Sequence, residues 1–447
     1  RPEMSMESVF SLADEYTGEK IGSKLEQIRE IMKENGCNAH VLSSLDDIAW
    51  LLNIRGNDIA YCPLVLSYAI VYNNSVELFA DIRKFSDDII NLLAENQVKI
   101  YPYEDIYRKV SEMTSEDKLL LDSAIMNYSL YQAISKETVI IDKQNPEILM
   151  KSVKNETQAE NLRKAHLKDA VAHTKFMYWL KKNIGRVEIT ELSASARLEG
   201  LRAEQEHFLG PSFGPISAYG EHGAIVHYSA DEKSNVPLKE GKLFMTDTGG
   251  HYLEGSTDIT RTVALGEVGN LEKEHFTLVA RAMLRLANTV FLYGCSGANL
   301  DCIAREIFWK EGLNFNHGTG HGVGYLLNIH EGPINFRWKE GERPAPALEE
   351  NMVITDEPGI YIEGSHGIRL ENELLVRKTV KNEYGQFMNF EILTYVPIDL
   401  DAILPEKMST EEKEMLNHYH KQVYEKVSPY LSEEERIWLK EYTRAVK

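Results

Sequence analysis

Residues 243–265 have the sequence LFMTDTGGHYLEGSTDITRTVAL, two runs rich in β-forming residues that are separated by glycines at positions 249, 250 and 255. Each run carries one aspartate, Asp247 in the first and Asp258 in the second. In antiparallel neighbours these carboxylates converge, and a buried carboxylate is costly unless it is paired or binds a cation. Alternatively, each aspartate caps a turn at the end of its strand. The stretch predicts two neighbouring strands and leaves both interpretations of the aspartates open.

A second unusual stretch, HGTGHGVGYLLNIHEGP at residues 317–333, contains three histidines and five glycines. His317 and His321 have helical spacing, but the glycines between residues 318 and 324 oppose a helix and predict a loop that enters a strand. A phosphate-binding loop is disfavoured because no Lys-Ser or Lys-Thr pair follows the glycines. The stretch is typical of a site where the main chain approaches a ligand closely, with an incidental glycine-rich turn as the alternative.

Two further acids interrupt β-rich runs, Glu357 in MVITDEPGIY and Glu371 in GIRLENELLV. Taken singly, each fits a surface acid at a strand end. With Asp247, Asp258 and His321 they supply four carboxylates and one imidazole, and the formal charge of about −4 balances two divalent cations. Oxygen-rich ligands favour ions such as manganese over a thiolate-type zinc site. The combined set predicts a dinuclear centre that activates water for hydrolysis.

The composition of the 447-residue chain is that of a globular protein, with 49 basic and 69 acidic side chains and a net charge of −20. This charge repels nucleic acid and anionic membranes, so neither is an expected partner. Four cysteines without a CxxC pair indicate a reducing compartment, and we expect a cytoplasmic protein. The sequence contains no run of about 20 apolar residues that could span a bilayer.

Alternating helix and strand patterns predict an α/β domain over residues 1–150, in which nothing suggests catalysis. An amphipathic helix is expected over residues 20–35, and a hairpin over residues 64–80 with its turn at residues 73–75. The apolar run at residues 60–68 favours a core strand, with a contact between subunits as the alternative.

The domain boundary is expected within residues 142–155, before a long helix that Asn155 caps. The second domain, residues 151–447, alternates β-like runs with glycine-rich turns. It closes with helices that begin at two capping boxes, Ser409/Glu412 and Ser432/Glu435.

The order of these motifs resembles that of the pita-bread metallopeptidases, and within them the long, multidomain form of Xaa-Pro aminopeptidase, also called aminopeptidase P. The resemblance covers essentially the whole chain and includes residues 210–228, residues 247–262 and the C-terminal YHKQVYEKVSPYL. It implies an α/β creatinase-like N-terminal domain followed by an α+β pita-bread catalytic domain. It also implies a homodimer that acts on peptides with proline in the second position.

The resemblance implies a role for each proposed ligand. Asp247 would serve one metal ion, His321 and Glu357 the other, and Asp258 and Glu371 would bridge both. The ions would be two divalent cations, with Mn²⁺ favoured and Co²⁺ or Zn²⁺ as alternatives.

The resemblance also assigns the remaining histidines and the catalytic acid. His227 and His330 match histidines that contact the substrate and steady the scissile carbonyl, and His317 matches one that lines the proline side of the site. A hydroxide that bridges the metals would attack the carbonyl, and Glu357 would carry its proton to the leaving proline nitrogen. The metal and His330 would stabilise the oxyanion.

The chain departs from the family pattern in two places. Asp356 stands where some relatives have asparagine, a difference that could tune metal affinity. The long form has two α/β domains before the catalytic one, whereas only one precedes it here, and Arg1-Pro2 resembles the start of the second. We therefore expect the family's first domain to be missing from this sequence, which would put full activity in doubt.

Three other functions share this fold. A proline dipeptidase would have its next histidine seven residues after the ligand histidine, whereas His330 follows His321 by nine. A creatinase-like hydrolase works without metals, which the intact ligand set disfavours. A non-catalytic peptide-binding relative would have lost ligands.

Overall fold

The computed structural model describes residues 5–339, 341 and 343–447. The chain divides into two compact units, the first ending at Gln158 and the second starting at Ala159. Arg1 and Pro2, which we interpreted as the start of a second domain, lie outside the described residues. Within the described ranges, no helix has both the length and the apolar character needed to cross a membrane.

The first unit is an α/β structure built on a six-stranded mixed sheet of order β6-β5-β4-β2-β7-β8. Its strands are β1 (Phe10–Ser11), β2 (Ala39–Leu42), β3 (Ile54–Arg55), β4 (Tyr68–Tyr72), β5 (Val76–Phe79), β6 (Val98–Tyr101), β7 (Lys118–Leu121) and β8 (Val139–Asp142). Its helices are α1 (Asp14–Thr17), α2 (Ile21–Glu34), α3 (Leu45–Leu51), α4 (Asp87–Glu95), α5 (Asp105–Ser111), α6 (Tyr128–Ala133) and α7 (Pro146–Ser152). The sheet is buried on both faces, since Val41 and Ile70 on one face and Val71 and Leu120 on the other are almost inaccessible to solvent.

The predicted hairpin is confirmed as β4 and β5, which pair antiparallel, although it begins at Tyr68 instead of residue 64. The interpretation of residues 60–68 as a core strand is wrong before Tyr68. Tyr61 is exposed and residues 63–67 form a loop. Pro63 has no N–H to donate to a sheet, which opposes strand pairing at this point.

The first unit continues to Gln158 because α7 packs on α2 and α3. Asp47 on α3 accepts hydrogen bonds from Asn145 at 2.9 Å and from Lys151 at 2.9 Å. Residues 142–155, where the boundary was expected, therefore belong to the first unit.

Over its described residues, the second unit is an α+β structure with four sheets. Its helices are α8 (Glu156–Asn183), α9 (Glu191–Ala203), α10 (Asn270–Ala287), α11 (Gly297–Lys310), α12 (Thr410–Val427) and α13 (Glu433–Tyr442), of which α8 starts at the end of the first unit. Its strands are β9 (Phe208–Pro211), β10 (Ile216–Tyr219), β11 (Lys242–Thr248), β12 (Gly250–Tyr252), β13 (Gly255–Ser256), β14 (Ile259–Leu265), β15 (Phe291–Leu292), β16 (Gly320–Gly322), β17 (Glu331–Phe336), β18 (Val353–Asp356), β19 (Gly359–Ile362), β20 (His366–Arg369), β21 (Asn372–Asn382) and β22 (Gly385–Ile392).

Most of the candidate site residues lie on or next to strands of the second unit's sheets. The orders are β10-β11-β14, β13-β12-β9, β15-β22-β21-β18-β16-β17 and β19-β20. Helices α10 and α11 pack against each other, and one continuous apolar core joins them to the sheets through side chains such as Phe244, Phe276 and Phe308.

Local sequence signals predicted the helix starts correctly. The side chain of Asn155 accepts the Gln158 N–H at 2.9 Å at the start of α8, whose apolar stripe is buried. Both capping boxes are present, with Ser409 at the start of α12 and Ser432 at the start of α13.

Candidate metal centre and active site

The two aspartates of residues 243–265 lie on neighbouring strands, as the sequence predicted. Strands β11 and β14 pair antiparallel with Asp247 opposite Thr260, and Asp258 directly precedes β14. Both carboxylates are buried. The Asp258 N–H donates to Glu373 Oε1 at 2.7 Å, which fixes the backbone at this corner.

His321 and Glu357 come together through strands β16 and β18. The His321 N–H donates to Thr355 Oγ1 at 3.0 Å, and the Glu357 N–H donates to Thr319 O at 2.8 Å. Gly320 lies where a Cβ atom would come within 1.8 Å of Thr355 O, so only glycine allows this close approach of the two strands. The glycine-rich stretch is therefore a loop that enters a short strand, as predicted, with the imidazole at its centre.

Glu371 occupies the corner between β20 and β21 and is tied to β14. Its N–H donates to Thr260 O at 3.1 Å, and Thr260 Oγ1 donates to Glu371 Oε2 at 2.7 Å. These two bonds place the Glu371 carboxylate beside Asp258.

All eight residues singled out from the sequence line one cavity of about 400 Å³. They are Asp247, Asp258, Glu357, Glu371, His227, His317, His321 and His330. Asp258, His321 and Glu371 each offer a ligand atom, and these three atoms lie within 4.8 Å of one another. His321 Nε2 is 3.5 Å from Asp258 Oδ2 and 3.7 Å from Glu357 Oε1.

The carboxylates form a buried centre of negative potential. Burial raises the pKa of Asp258, and the neighbouring Asp247 and Glu357 raise it further. Burial and then Asp258 raise the pKa of Glu371, and burial raises that of Glu357 against the opposing effect of His321. Carboxyl groups that disfavour ionisation so strongly are the groups that a bound cation would stabilise.

Two histidines of the site, His317 and His330, are biased to the neutral form. Burial and then Arg369 lower the pKa of His317 to about 3, and partial burial and then His321 lower that of His330 to about 4. His317 Nδ1 lies 2.6 Å from Gly318 O, and a carbonyl can only accept, so Nδ1 carries the proton. His227 is exposed, lies in the loop after β10 and also lines the cavity.

Sequence reasoning missed Arg369 and Tyr361. Arg369 pairs with Asp247, and its Nη1 donates to Tyr361 OH at 2.7 Å. Tyr361 OH lies 2.8 Å from His317 Nε2, so a continuous chain of contacts joins Asp247 to His317. The spacing of Arg369 two residues before Glu371 was a signal, because residues two apart in extended chain face the same side.

The cavity wall also includes side chains that were not singled out from the sequence. They comprise Phe213, Ile216, Val226 and Arg337. Nothing in the type or spacing of these residues marks them as site residues, so their place in the wall depends on the folded chain.

Family models match nearly the whole chain. Residues 1–158 match the creatinase/prolidase N-terminal domain, residues 160–378 match metallopeptidase family M24, and residues 386–446 match the C-terminal region of that family.

Relatives match over the same length. The chain is 36% identical to Xaa-Pro aminopeptidase 1 of Dictyostelium discoideum, over 96% of this chain and 69% of the relative. It is 34% identical to aminopeptidase P1 of Arabidopsis thaliana, over 100% of this chain and 77% of the relative.

Solved structures have the same fold. The X-prolyl aminopeptidase of Caenorhabditis elegans, a cytosolic enzyme with a di-nuclear active site, is 34% identical with a TM-score of 0.94, over 100% of this chain and 74% of that one. A Xaa-Pro dipeptidase of Bacillus anthracis is 25% identical with a TM-score of 0.67, over 85% of this chain and 99% of that one. The predicted creatinase-like and pita-bread domains are confirmed, and the chain belongs to metallopeptidase family M24.

Proposed function

We propose that this chain is a Xaa-Pro aminopeptidase, which hydrolyses the bond between the first residue of a peptide and a proline in the second position. The observation that carries the proposal is the convergence of all eight predicted residues on one cavity. The full-length similarity to X-prolyl aminopeptidases supports the substrate class.

The donor set fits two divalent cations. Asp247 Oδ1 is buried without a hydrogen-bond partner among the described residues, and Asp258 and Glu371 lie together in a negative centre. Asp247 would hold one ion, His321 and Glu357 the other, and Asp258 and Glu371 would be shared. Oxygen-rich ligation favours Mn²⁺, with Co²⁺ and Zn²⁺ as alternatives. When bound, the cations supply Lewis-acid activation of water and of the scissile carbonyl.

The chain's own residues would orient the substrate and move the proton. Water adds to the carbonyl carbon and its proton passes to Glu357, which delivers it to the proline nitrogen as the C–N bond breaks. The proline nitrogen cannot leave as an anion, so cleavage requires such a donor. His330 and His227 would contact the carbonyl, and neutral His317 would line the proline side.

The resemblance supports a homodimer, and the cytosolic C. elegans enzyme supports a cytoplasmic location. Cys37, Cys62, Cys295 and Cys302 are free thiols, which fits a reducing compartment. Light scattering of the purified chain would measure the mass of the particle in solution, and a monomeric mass would contradict the dimer.

The test of function is a peptidase assay with the purified chain and added MnCl₂. We expect cleavage of an Xaa-Pro-Xaa tripeptide and no cleavage of the matched Xaa-Ala-Xaa peptide. The variant Asp258→Ala should lose this activity. If the chain and its Asp258→Ala variant behave alike, the proposal is wrong, and turnover of Xaa-Pro dipeptides alone would favour a dipeptidase.

A further inference from the structure

The segment that carries His227 is a loop that contacts β20 at two points, at Gly223, which lies against Gly367, and at Val226, whose O atom accepts from Arg369 Nη2 at 3.4 Å. It leaves β10 at Tyr219, passes through a short 3-10 helix (Gly220–Ala224) and returns to the protein at Val236. His227 is exposed, and Ile225 keeps 55% of its surface in solvent. Loops of this kind hold a side chain in place only if something else fixes their ends.

Glu191, the first residue of α9, makes that connection. Its side chain is fully buried and accepts four hydrogen bonds from the segment. Oε1 accepts from the Tyr219 N–H at 2.8 Å and from His222 Nδ1 at 2.8 Å. Oε2 accepts from Tyr228 OH at 3.0 Å and from the Val236 N–H at 3.4 Å. A carboxylate has about four acceptor positions, so the group is saturated.

The main chain and the aromatic rings reinforce this anchor. The Glu191 N–H donates to Val236 O at 3.2 Å, and Ser217 Oγ donates to Glu191 O at 2.6 Å. The rings of His222 and Tyr228 stack with their centroids 4.5 Å apart. One residue thus contacts the segment before, within and after the 3-10 helix, and Tyr228 is the direct neighbour of His227.

We propose that Glu191 is a positioning residue that holds His227 at the wall of the cavity. This inference rests on the proposed function, in which His227 contacts the substrate. Glu191 itself does not line the cavity and acts only through the segment. Val226, the residue before His227, also lines the cavity, but its O atom accepts a separate hydrogen bond from Arg369.

The substitution Glu191→Gln tests the anchor because the amide nitrogen cannot accept a hydrogen bond. In either orientation of the amide, the Tyr219 N–H or the Val236 N–H faces an NH₂ group. We expect kcat/KM for the tripeptide to fall about tenfold, since small displacements of a positioned group cost up to about a hundredfold. Glu188→Gln, an exposed acid three residues earlier, is the matched control and should leave kcat/KM unchanged.

A double-mutant cycle separates positioning from a purely structural role. All variants are assayed with MnCl₂ at a temperature well below their thermal unfolding midpoints. In the His227→Ala background, adding Glu191→Gln should change kcat/KM less than about twofold, because the effect of Glu191 passes through His227. An equal fold-change in both backgrounds would overturn the inference. If Glu191→Gln does not fold, Tyr228→Phe removes one of the four donors and enters the same cycle. An inactive wild-type chain would instead contradict the proposed function.

Discussion

Asp258 and Glu371 concentrate the electrostatic cost of the site, because both are almost completely buried and lie close to each other. Burial and the neighbouring carboxylates raise the pKa of both side chains, so each disfavours its ionised form. The same arrangement that destabilises the metal-free chain gives a cation its binding free energy.

The substitution Asp258→Asn should therefore change stability in opposite directions with and without metal. In EDTA the variant should be more stable than the wild type by roughly 1 kcal/mol, since one repulsive charge is removed. Adding MnCl₂ should raise the free energy of unfolding of the variant less than that of the wild type, because the variant binds Mn²⁺ more weakly. Thermal melts of both proteins in both buffers measure this, and equal Mn²⁺-induced shifts would contradict a ligand role for Asp258.

Tyr361 is the link between Arg369 and His317. In Tyr361→Phe, Arg369 Nη1 loses its acceptor and the His317 ring loses its partner at Nε2, in a buried environment. We expect kcat/KM to fall about tenfold, since a buried group left unsatisfied costs about 1–3 kcal/mol. Steady-state kinetics would measure this. Tyr384→Phe, which alters a 75% exposed tyrosine, is the control. Identical kinetics for the two variants would contradict a role for Tyr361 in the site.

At the scale of elements, glycine sets how closely the segments of the site approach. Gly367 in β20 faces Gly223 in the 3-10 helix, and a Cβ atom on Gly367 would come within 1.6 Å of Gly223 O. β20 leads to Arg369 and Glu371, and the 3-10 helix leads to His227. This contact therefore couples two walls of the cavity.

Two alanine substitutions should have opposite effects for this reason. Gly367→Ala forces two backbones apart and should destabilise the chain by about 3 kcal/mol or more, as overpacking against main chain allows little relaxation. Gly200→Ala, at an exposed position in α9 with no atom within 4 Å of the added Cβ, should stabilise by up to about 1 kcal/mol. Urea unfolding of both variants would measure the difference, and a neutral Gly367→Ala would show that the segments can separate freely.

The elements that sequence predicted well are those whose signals are local. The caps at Asn155, Ser409 and Ser432 and the hairpin of β4 and β5 depend on residues a few positions apart. The apolar run at residues 60–68 was misjudged because Leu64 and Val65 are buried in a loop, outside any strand, and Tyr61 is exposed. The pairing of Arg369 with Asp247 and the bond from Asp258 to Glu373 could not be predicted, since each joins residues more than a hundred positions apart.

At the scale of the whole molecule, the site depends on the complete folding of the second unit. Its residues come from positions 227 to 371, and buried polar groups that do not line the cavity support the same core. His420 in α12 is one of these, since its Nε2 accepts the Ile398 N–H at 3.1 Å. Burial and then Arg261 lower the pKa of His420 to about 3, so the ring is neutral in the folded protein at neutral pH.

This group should give the second unit a defined sensitivity to acid. Because the folded pKa of about 3 lies below the ordinary value of 6.5, the unfolded chain binds the proton first as the pH falls. The contribution is constant above about pH 6.5 and decreases as the pH falls toward 3, by roughly 3 kcal/mol at pH 4. His420→Gln keeps an acceptor for the Ile398 N–H and does not titrate. Urea unfolding at pH 7 and pH 4.5 should therefore show a smaller loss of stability in the variant, and equal losses in both proteins would mean that His420 is not protonated on unfolding.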